Sequence, residues 1–209
     1  MLTVYLVVHP QATHHLERVV GGWHDSRLTV AGLRSAASIA KQLGAQIPKD
    51  ARVQLRSSDL QRAVQTARIL GDHLRVELVL DRRLREKSYG EAEGRPQAWL
   101  DERFRPPPAS GDRMNHDVGI PGAENKKAFA ARIYAAMADA LRSDGEHKIV
   151  VTHGFAATFV IASWIKMPIE AAGYANFRAP SGSITVPRED DYFHNRQIYS
   201  LGDTRHLAS

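Results

Sequence analysis

Two histidines close two short apolar runs. In VVHP the run ends at His9 and in VVTHG at His153. In open α/β sheets the ligand site lies beyond the carboxyl ends of the strands, so two histidines far apart in sequence can meet in one pocket. Imidazole is nucleophilic near neutral pH without extra activation. A third group, Arg62, sits in SSDLQRAVQTARIL, which follows a strand-like run and opens a helix. A helix N-terminus favours anions through its free N–H groups and dipole, and a guanidinium fork grips phosphate. The fourth is Glu86, in LREKSYGEAEG. A carboxylic acid protonates a leaving oxygen well once its pKa is raised. Together these residue types suit phosphoryl transfer, where catalysis is mostly positioning and electrostatics.

The elements that must position them read as an alternation of strands and helices. Residues 2–8, LTVYLVV, form a continuous apolar run that predicts a strand buried on both faces. Residues 29–43 predict a helix with Thr29 as N-cap, Leu33, Ala37 and Ala40 on one face, and Gly44 as its stop. A strand is expected over 52–56. A helix then starts from Ser57 or Ser58 and runs to Leu70, with Leu60, Val64, Ala67 and Leu70 inward and Gly71 at its end. A short strand follows at 76–80, an amphipathic helix at 124–142, a strand at 148–152 and a largely apolar helix near 155–166, closed by Pro168. Strands near 183–187 and 196–200 finish the sheet. The class is therefore α/β: a three-layer sandwich with a mainly parallel central sheet, helices on both faces and room for an antiparallel edge. Residues 101–122 carry consecutive Pro106, Pro107 and Pro108 and predict an ordered excursion or lid.

The chain has 209 residues, 43% hydrophobic and 24% charged, which suits a globular domain and excludes a disordered one. Lys plus Arg exceed Asp plus Glu by 28 to 23. That excess favours anionic ligands, but the basic residues are scattered and no aromatic-interleaved basic patch occurs, so nucleic acid is not an expected partner. There is no Cys, which removes disulfides, thiolate catalysis and cysteine-ligated zinc. His9, His14, His15 and His24 follow no standard metal-ligand spacing, so no metal is assigned and His14 and His24 are read as structural or solvated. No run approaches the ~20 apolar residues that span a bilayer, and the N-terminus lacks the flanks of a signal peptide. The expectation is a cytoplasmic protein with no membrane partner.

The order of VVHPQATHH, GGWHDSRLTVAG, SSDLQRAVQTA, LREKSYGEAEG, PGAEN, VVTHG and GSITV resembles the histidine phosphatase superfamily, the phosphoglycerate-mutase-like proteins. The resemblance spans nearly the whole chain. It implies one domain over residues 1–209 with a lid-like insertion at about 87–122, and no cofactor. It also implies roles: His9 as the nucleophile that becomes phosphohistidine, Arg62 as a phosphate clamp, Glu86 as general acid, and His153 as stabiliser of charge on the transferring group. Gln11, His15, Gly22, Tyr89 and Gly154 are expected to bind substrate.

The chain departs from the family hallmark Arg-His-Gly-Glu, having Val8, His9, Pro10 and Gln11 instead. Val8 removes one phosphate-clamping arginine. Pro10 lacks an N–H and fixes φ. His15 stands where the family usually has Asn; protonated, it would partly restore the missing charge. The expected activity is hydrolysis of a small phosphomonoester, weakened by the loss at Val8. The alternatives are a catalytically weak or silent phosphate-binding member and a phosphoglycerate-type mutase. A homodimer is the base-rate expectation for assembly.

Overall fold

The structure is a computed structural model that describes residues 1–208. In chain order the elements are β1 (Leu2–Val8), α1 (Thr13–Glu17), α2 (Val30–Gln46), β2 (Val53–Ser57), α3 (Gln61–Leu74), β3 (Leu78–Leu80), α4 (Gln97–Asp101), α5 (Lys126–Arg142), β4 (His147–Thr152), α6 (Gly154–Trp164), β5 (Ile184–Glu189) and β6 (Arg196–Asp203). The strands form one sheet in the order β3-β2-β4-β1-β5-β6. β3, β2, β4 and β1 run parallel, whereas β5 and β6 add an antiparallel edge.

Side chains alternate across a strand, and β1 divides the core accordingly. Val4, Leu6 and Val8 face a cluster with Phe129, Ile133, Phe159 and Trp164 from α5 and α6. Tyr5 and Val7 face the other cluster, with Ile39 and Leu43 of α2 and Leu70 of α3. Each fully buried side chain of this size contributes roughly 1.5–3 kcal/mol. The three layers follow from this division.

The helix stops read from glycine are wrong. α2 continues through Gly44 to Gln46 and α3 through Gly71 to Leu74. A Cβ at Gly44 would lie 2.8 Å from His73 Nε2, so this glycine serves the close approach of α2 to α3. The buried face of α2 is Gly32, Ala36, Ile39, Ala40 and Leu43; Leu33 and Ala37 are exposed. The Thr29 cap is present, its side chain accepting from Gly32 N. α3 begins at Gln61, later than a serine cap would place it, and Asp25 Oδ1 of another segment accepts from Gln61 N at 2.7 Å. α6 ends at Trp164, four residues before Pro168, and Lys166 adopts φ 56°.

Segment 87–122 contains a 3₁₀ turn at Gly90–Ala92, α4 and otherwise irregular chain. It has its own apolar cluster of Val20, Ala92, Leu100, Val118 and Ile120, so it packs on the loop around Val20. Backbone bonds Val20 N to Arg95 O and Gly94 N to Val20 O fasten the two. No helix among the described residues is long and apolar enough to cross a membrane.

Candidate active site

β1 and β4 are adjacent and parallel, with Val8 opposite Thr152, so the residues that follow them emerge side by side. His9 and His153 ring centroids are 5.0 Å apart. Arg62, the second residue of α3, crosses from the next strand's helix, and its Nε donates to His9 Nε2 at 3.2 Å. These side chains, with Glu86, line a cavity of 540 Å³ at the carboxyl ends of the parallel strands.

His9 is buried, and its Nδ1 lies 2.7 Å from the carbonyl of Pro10. A carbonyl can only accept, so Nδ1 carries the proton and Nε2 presents its lone pair. Pro10 thus gives up an N–H but keeps the group that fixes this tautomer. Burial, followed by the Arg62 charge, holds the His9 imidazole well below its ordinary pKa, so the ring is neutral at neutral pH.

Arg62 is almost wholly buried. Nη1 donates to His24 O and Nη2 to Gly22 O, each at 2.7 Å. Burial lowers its pKa to about 10, still cationic at neutral pH. Gly22 adopts φ +47°, and a Cβ there would come within 3.0 Å of Glu93 Oε1 and 3.1 Å of the Tyr89 ring. A side chain at Gly22 would disturb both the arginine's acceptor and the cavity wall.

Glu86 lies against the start of α6. Its Oε2 accepts from Phe155 N at 2.9 Å, and its Oε1 from Lys87 N at 2.9 Å and Ala156 N at 3.2 Å. Those donors and Arg62 favour the ionised form, but burial outweighs them and raises the carboxyl. The backbone carrying it is clamped from two sides. Glu86 O accepts from Trp23 Nε1 and from Arg132 Nη2, both at 2.7 Å. Arg132 also reaches the carbonyls of Arg83 and Arg85 and pairs with Glu124, whose Oε2 accepts from Ser88 N.

His153 caps α6 by position, and its Nε2 meets Ser58 Oγ at 2.8 Å. Its Nδ1 is buried without a hydrogen-bond partner among the described residues. Burial, then Arg62 and His9, hold this imidazole well below its ordinary pKa too. An orphaned buried nitrogen costs free energy that a ligand oxygen would recover.

Of the residues expected to bind substrate, His15, Gly22, Tyr89 and Gly154 line the cavity. Burial, then Glu86, raises the Tyr89 phenol to about 12, so it is a neutral donor. Gln11 does not line the cavity. It is exposed, and its amide oxygen accepts from Thr29 Oγ1 at 2.8 Å. His15 lines the rim but not as a cation. Its Nδ1 accepts from Ala12 N at 3.1 Å, and partial burial with the Arg62 charge lowers its pKa. His14, buried behind it, bonds Ser26 Oγ and is lowered to about 3, by burial first. Sequence reasoning missed Arg18, Gln97 and Ser181 in the cavity wall. Arg18 is the wall's second guanidinium, exposed and in the left-handed region at φ 53°. No periodicity or motif marks it. Among the described residues no three His, Cys, Asp or Glu side chains are grouped to hold a metal ion.

The sequence model of the histidine phosphatase superfamily (branch 1) matches residues 4–196. The chain belongs to this superfamily. A protein of Enterobacter sp. (strain 638) named "Probable phosphoglycerate mutase GpmB" is 31% identical over 99% of this chain and 95% of its own. Its Yersinia pestis (strain Pestoides F) counterpart is equally similar, with the same coverage. Among solved structures, Bacillus stearothermophilus YhfR superposes with a TM-score of 0.78 at 22% identity, covering 99% of this chain and 100% of that one. A mycobacterial glucosyl-3-phosphoglycerate phosphatase complexed with VO3 also gives 0.78 at 22% identity, covering 98% and 100%. These likenesses carry the fold, so this histidine phosphatase superfamily member has a six-stranded, mostly parallel sheet of the phosphoglycerate-mutase-like kind.

Proposed function

We propose that the protein hydrolyses a small phosphomonoester through a phosphohistidine at His9. The observation that carries this reading is the pairing of Nδ1–H with Pro10 O, which leaves Nε2 as a lone pair in the cavity. The phosphoryl group enters between His9 Nε2 and Arg62 Nε, exchanging the bond between them for bonds to phosphoryl oxygens. Nε2 attacks phosphorus as the ester P–O bond breaks. The Glu86 carboxyl passes its proton to the leaving oxygen. Water then attacks the phosphohistidine and loses its proton to the Glu86 carboxylate. The P–N bond breaks, leaving orthophosphate and the starting imidazole. Arg62 and the Nδ1 face of His153 hold the equatorial oxygens, where charge is best met by fixed donors.

The superfamily also contains mutases, and the GpmB relatives carry that name. A mutase must shield its phosphohistidine from water. Here His15, Arg18, Gln97 and Ser181 in the cavity wall are all exposed, which admits water and favours hydrolysis.

The raised Glu86 and depressed His9 set the pH dependence. A general acid works only while protonated, so kcat/KM falls as pH rises through the raised carboxyl pKa, above its ordinary 4.5. The nucleophile is lost only well below 6.5, the ordinary imidazole value. Hydrolysis of a panel of phosphate esters in the presence of chelator is expected to decline on an alkaline limb as Glu86 loses its proton. Glu86→Gln should lower kcat by about 10²–10⁴-fold and abolish the alkaline limb. The substrate's own ionisation near ~6 is common to both proteins and cancels in the comparison. An unchanged alkaline limb in Glu86→Gln would remove Glu86 as the acid. No hydrolysis of any ester, with phosphate binding retained, would leave a silent phosphate-binding domain.

A further inference from the structure

β2 and β4 are adjacent and parallel, with Ser57 opposite Val151, and Ser58 N donates to Val151 O at 3.0 Å. The residue after β2 is thereby set beside the end of β4. Ser58 is wholly buried, and its Oγ lies 2.8 Å from His153 Nε2. A hydroxyl has one hydrogen to give and two lone pairs. Among the described residues Ser58 Oγ makes one other bond, in which it accepts from Leu60 N at 3.4 Å. Its hydrogen therefore has a single acceptor within reach, His153 Nε2.

The neutral His153 ring carries one proton. The two places for it differ in how many buried groups stay unpaired. With the proton on Nε2, Ser58 Oγ would accept twice and its own hydrogen would be orphaned. The Nδ1 lone pair would be orphaned too, since the Arg62 guanidinium gives its bonds to His9, His24, Ser26 and Gly22. With the proton on Nδ1, Ser58 donates, Nε2 accepts, and one group is left over, the Nδ1–H. Buried unpaired groups cost free energy, so the second arrangement is the more stable. It also suits a ligand, because an N–H attracts a phosphoryl oxygen and a lone pair repels one. His153 lines the catalytic cavity and its Nε2 is engaged by Ser58, so Nδ1 is the nitrogen left to meet the ligand.

We propose that Ser58 is a positioning residue: its hydroxyl fixes His153 as the Nδ1–H tautomer, and the uncharged ring then donates to the phosphoryl group. The two histidines thus carry their protons on the same nitrogen for opposite ends. At His9 the Nδ1 proton goes to the carbonyl of Pro10 and frees Nε2 to attack; at His153 it faces the ligand. The inference rests on the phosphatase reading for its effect on turnover, but not for the tautomer or for phosphate binding.

Nitrogen-15 NMR of the full chain, labelled at histidine, reads which ring nitrogen carries the proton. The His153 signals are assigned by their absence in His153→Gln. At neutral pH the expected pattern is a protonated Nδ1 and a bare Nε2. A proton on Nε2, or on both nitrogens, overturns the inference, whether or not any Ser58 variant folds. Ser58→Ala should populate the Nε2–H form, and Ser58→Thr, which keeps the hydroxyl, should restore Nδ1–H. A ring still wholly Nδ1–H in Ser58→Ala overturns the role of Ser58. Orthophosphate affinity, measured by calorimetry, should fall about tenfold in Ser58→Ala. On any working ester kcat should fall about 10²-fold, with a smaller change in KM. Neither should fall further when Ser58→Ala is added to His153→Gln, because the hydroxyl acts through that ring. Losses that multiply would show that Ser58 acts through α3 and Arg62, and overturn the inference. Absence of orthophosphate binding by the unmutated chain overturns it as well. Hydrolysis of no ester sinks the phosphatase, while the spectra and the orthophosphate affinities still decide the role of Ser58.

Discussion

Replacing His9 with alanine is expected to reduce kcat on any working phosphate ester by on the order of 10⁴- to 10⁶-fold, the scale seen when a nucleophile is removed. KM should change far less, because Arg62 and His153 remain. His9 is the only ring whose Nε2 both faces Arg62 Nε and has its tautomer fixed by a backbone carbonyl among the side chains described here. His153 cannot take over, since its Nε2 is engaged by Ser58. His14 and His15 are held by Ser26 and by Ala12 N. Steady-state kinetics beside a melting curve make the check. Loss of turnover in a folded variant is the expected result, and a drop of less than about tenfold would mean that another group attacks phosphorus.

The second large effect is a gain. Val8→Arg is expected to raise kcat/KM by about 10²- to 10³-fold, the amount one well-aimed donor supplies to a transition state. Val8 sits at the end of β1, both in the core cluster below α6 and in the cavity wall. Its side chain is 3% exposed, so the new guanidinium must reach past the apolar layer into the cavity. The lost packing costs roughly 1–3 kcal/mol, or a few degrees in Tm. Besides Arg62, the cavity wall has Arg18 as its one other guanidinium, and that residue is exposed, whereas His14 and His15 are neutral at pH 7. A fall in kcat/KM with the fold intact would show that Val8 shapes the cavity for its own substrate.

Much of this site could be read from the residues alone, and the reason is geometric. A strand's end is marked by a change of residue type, and parallel neighbours align their ends. His9 and His153 could therefore be put together without knowing the sheet order. Arg62 and Glu86 were legible because each lies in a long, specific string. The elements themselves followed from hydrophobic period. What escaped were contacts made by distant segments. Gly44 reads as a stop, and only the approach of His73 explains it as packing. The cap of α3 comes from Asp25 and not from the adjoining serines. Gln11 and His15 were placed by register, but Thr29 draws one away and Ala12 N neutralises the other. Arg18, Arg132 and Trp23 have no local signature, since their roles depend on which carbonyl or cavity the fold brings to them.

A phosphoryl group that passes through His9 Nε2 can be trapped there as phosphohistidine. The full chain is mixed with a ³²P-labelled phosphate ester, quenched in alkali, and digested for peptide mapping. Phosphohistidine is a phosphoramidate, stable to alkali and labile to acid. The expected result is alkali-stable, acid-labile label confined to the peptide that contains His9, formed as fast as the first turnover and absent from His9→Ala. Turnover with no label on the protein, or with label on another residue, would contradict passage through His9.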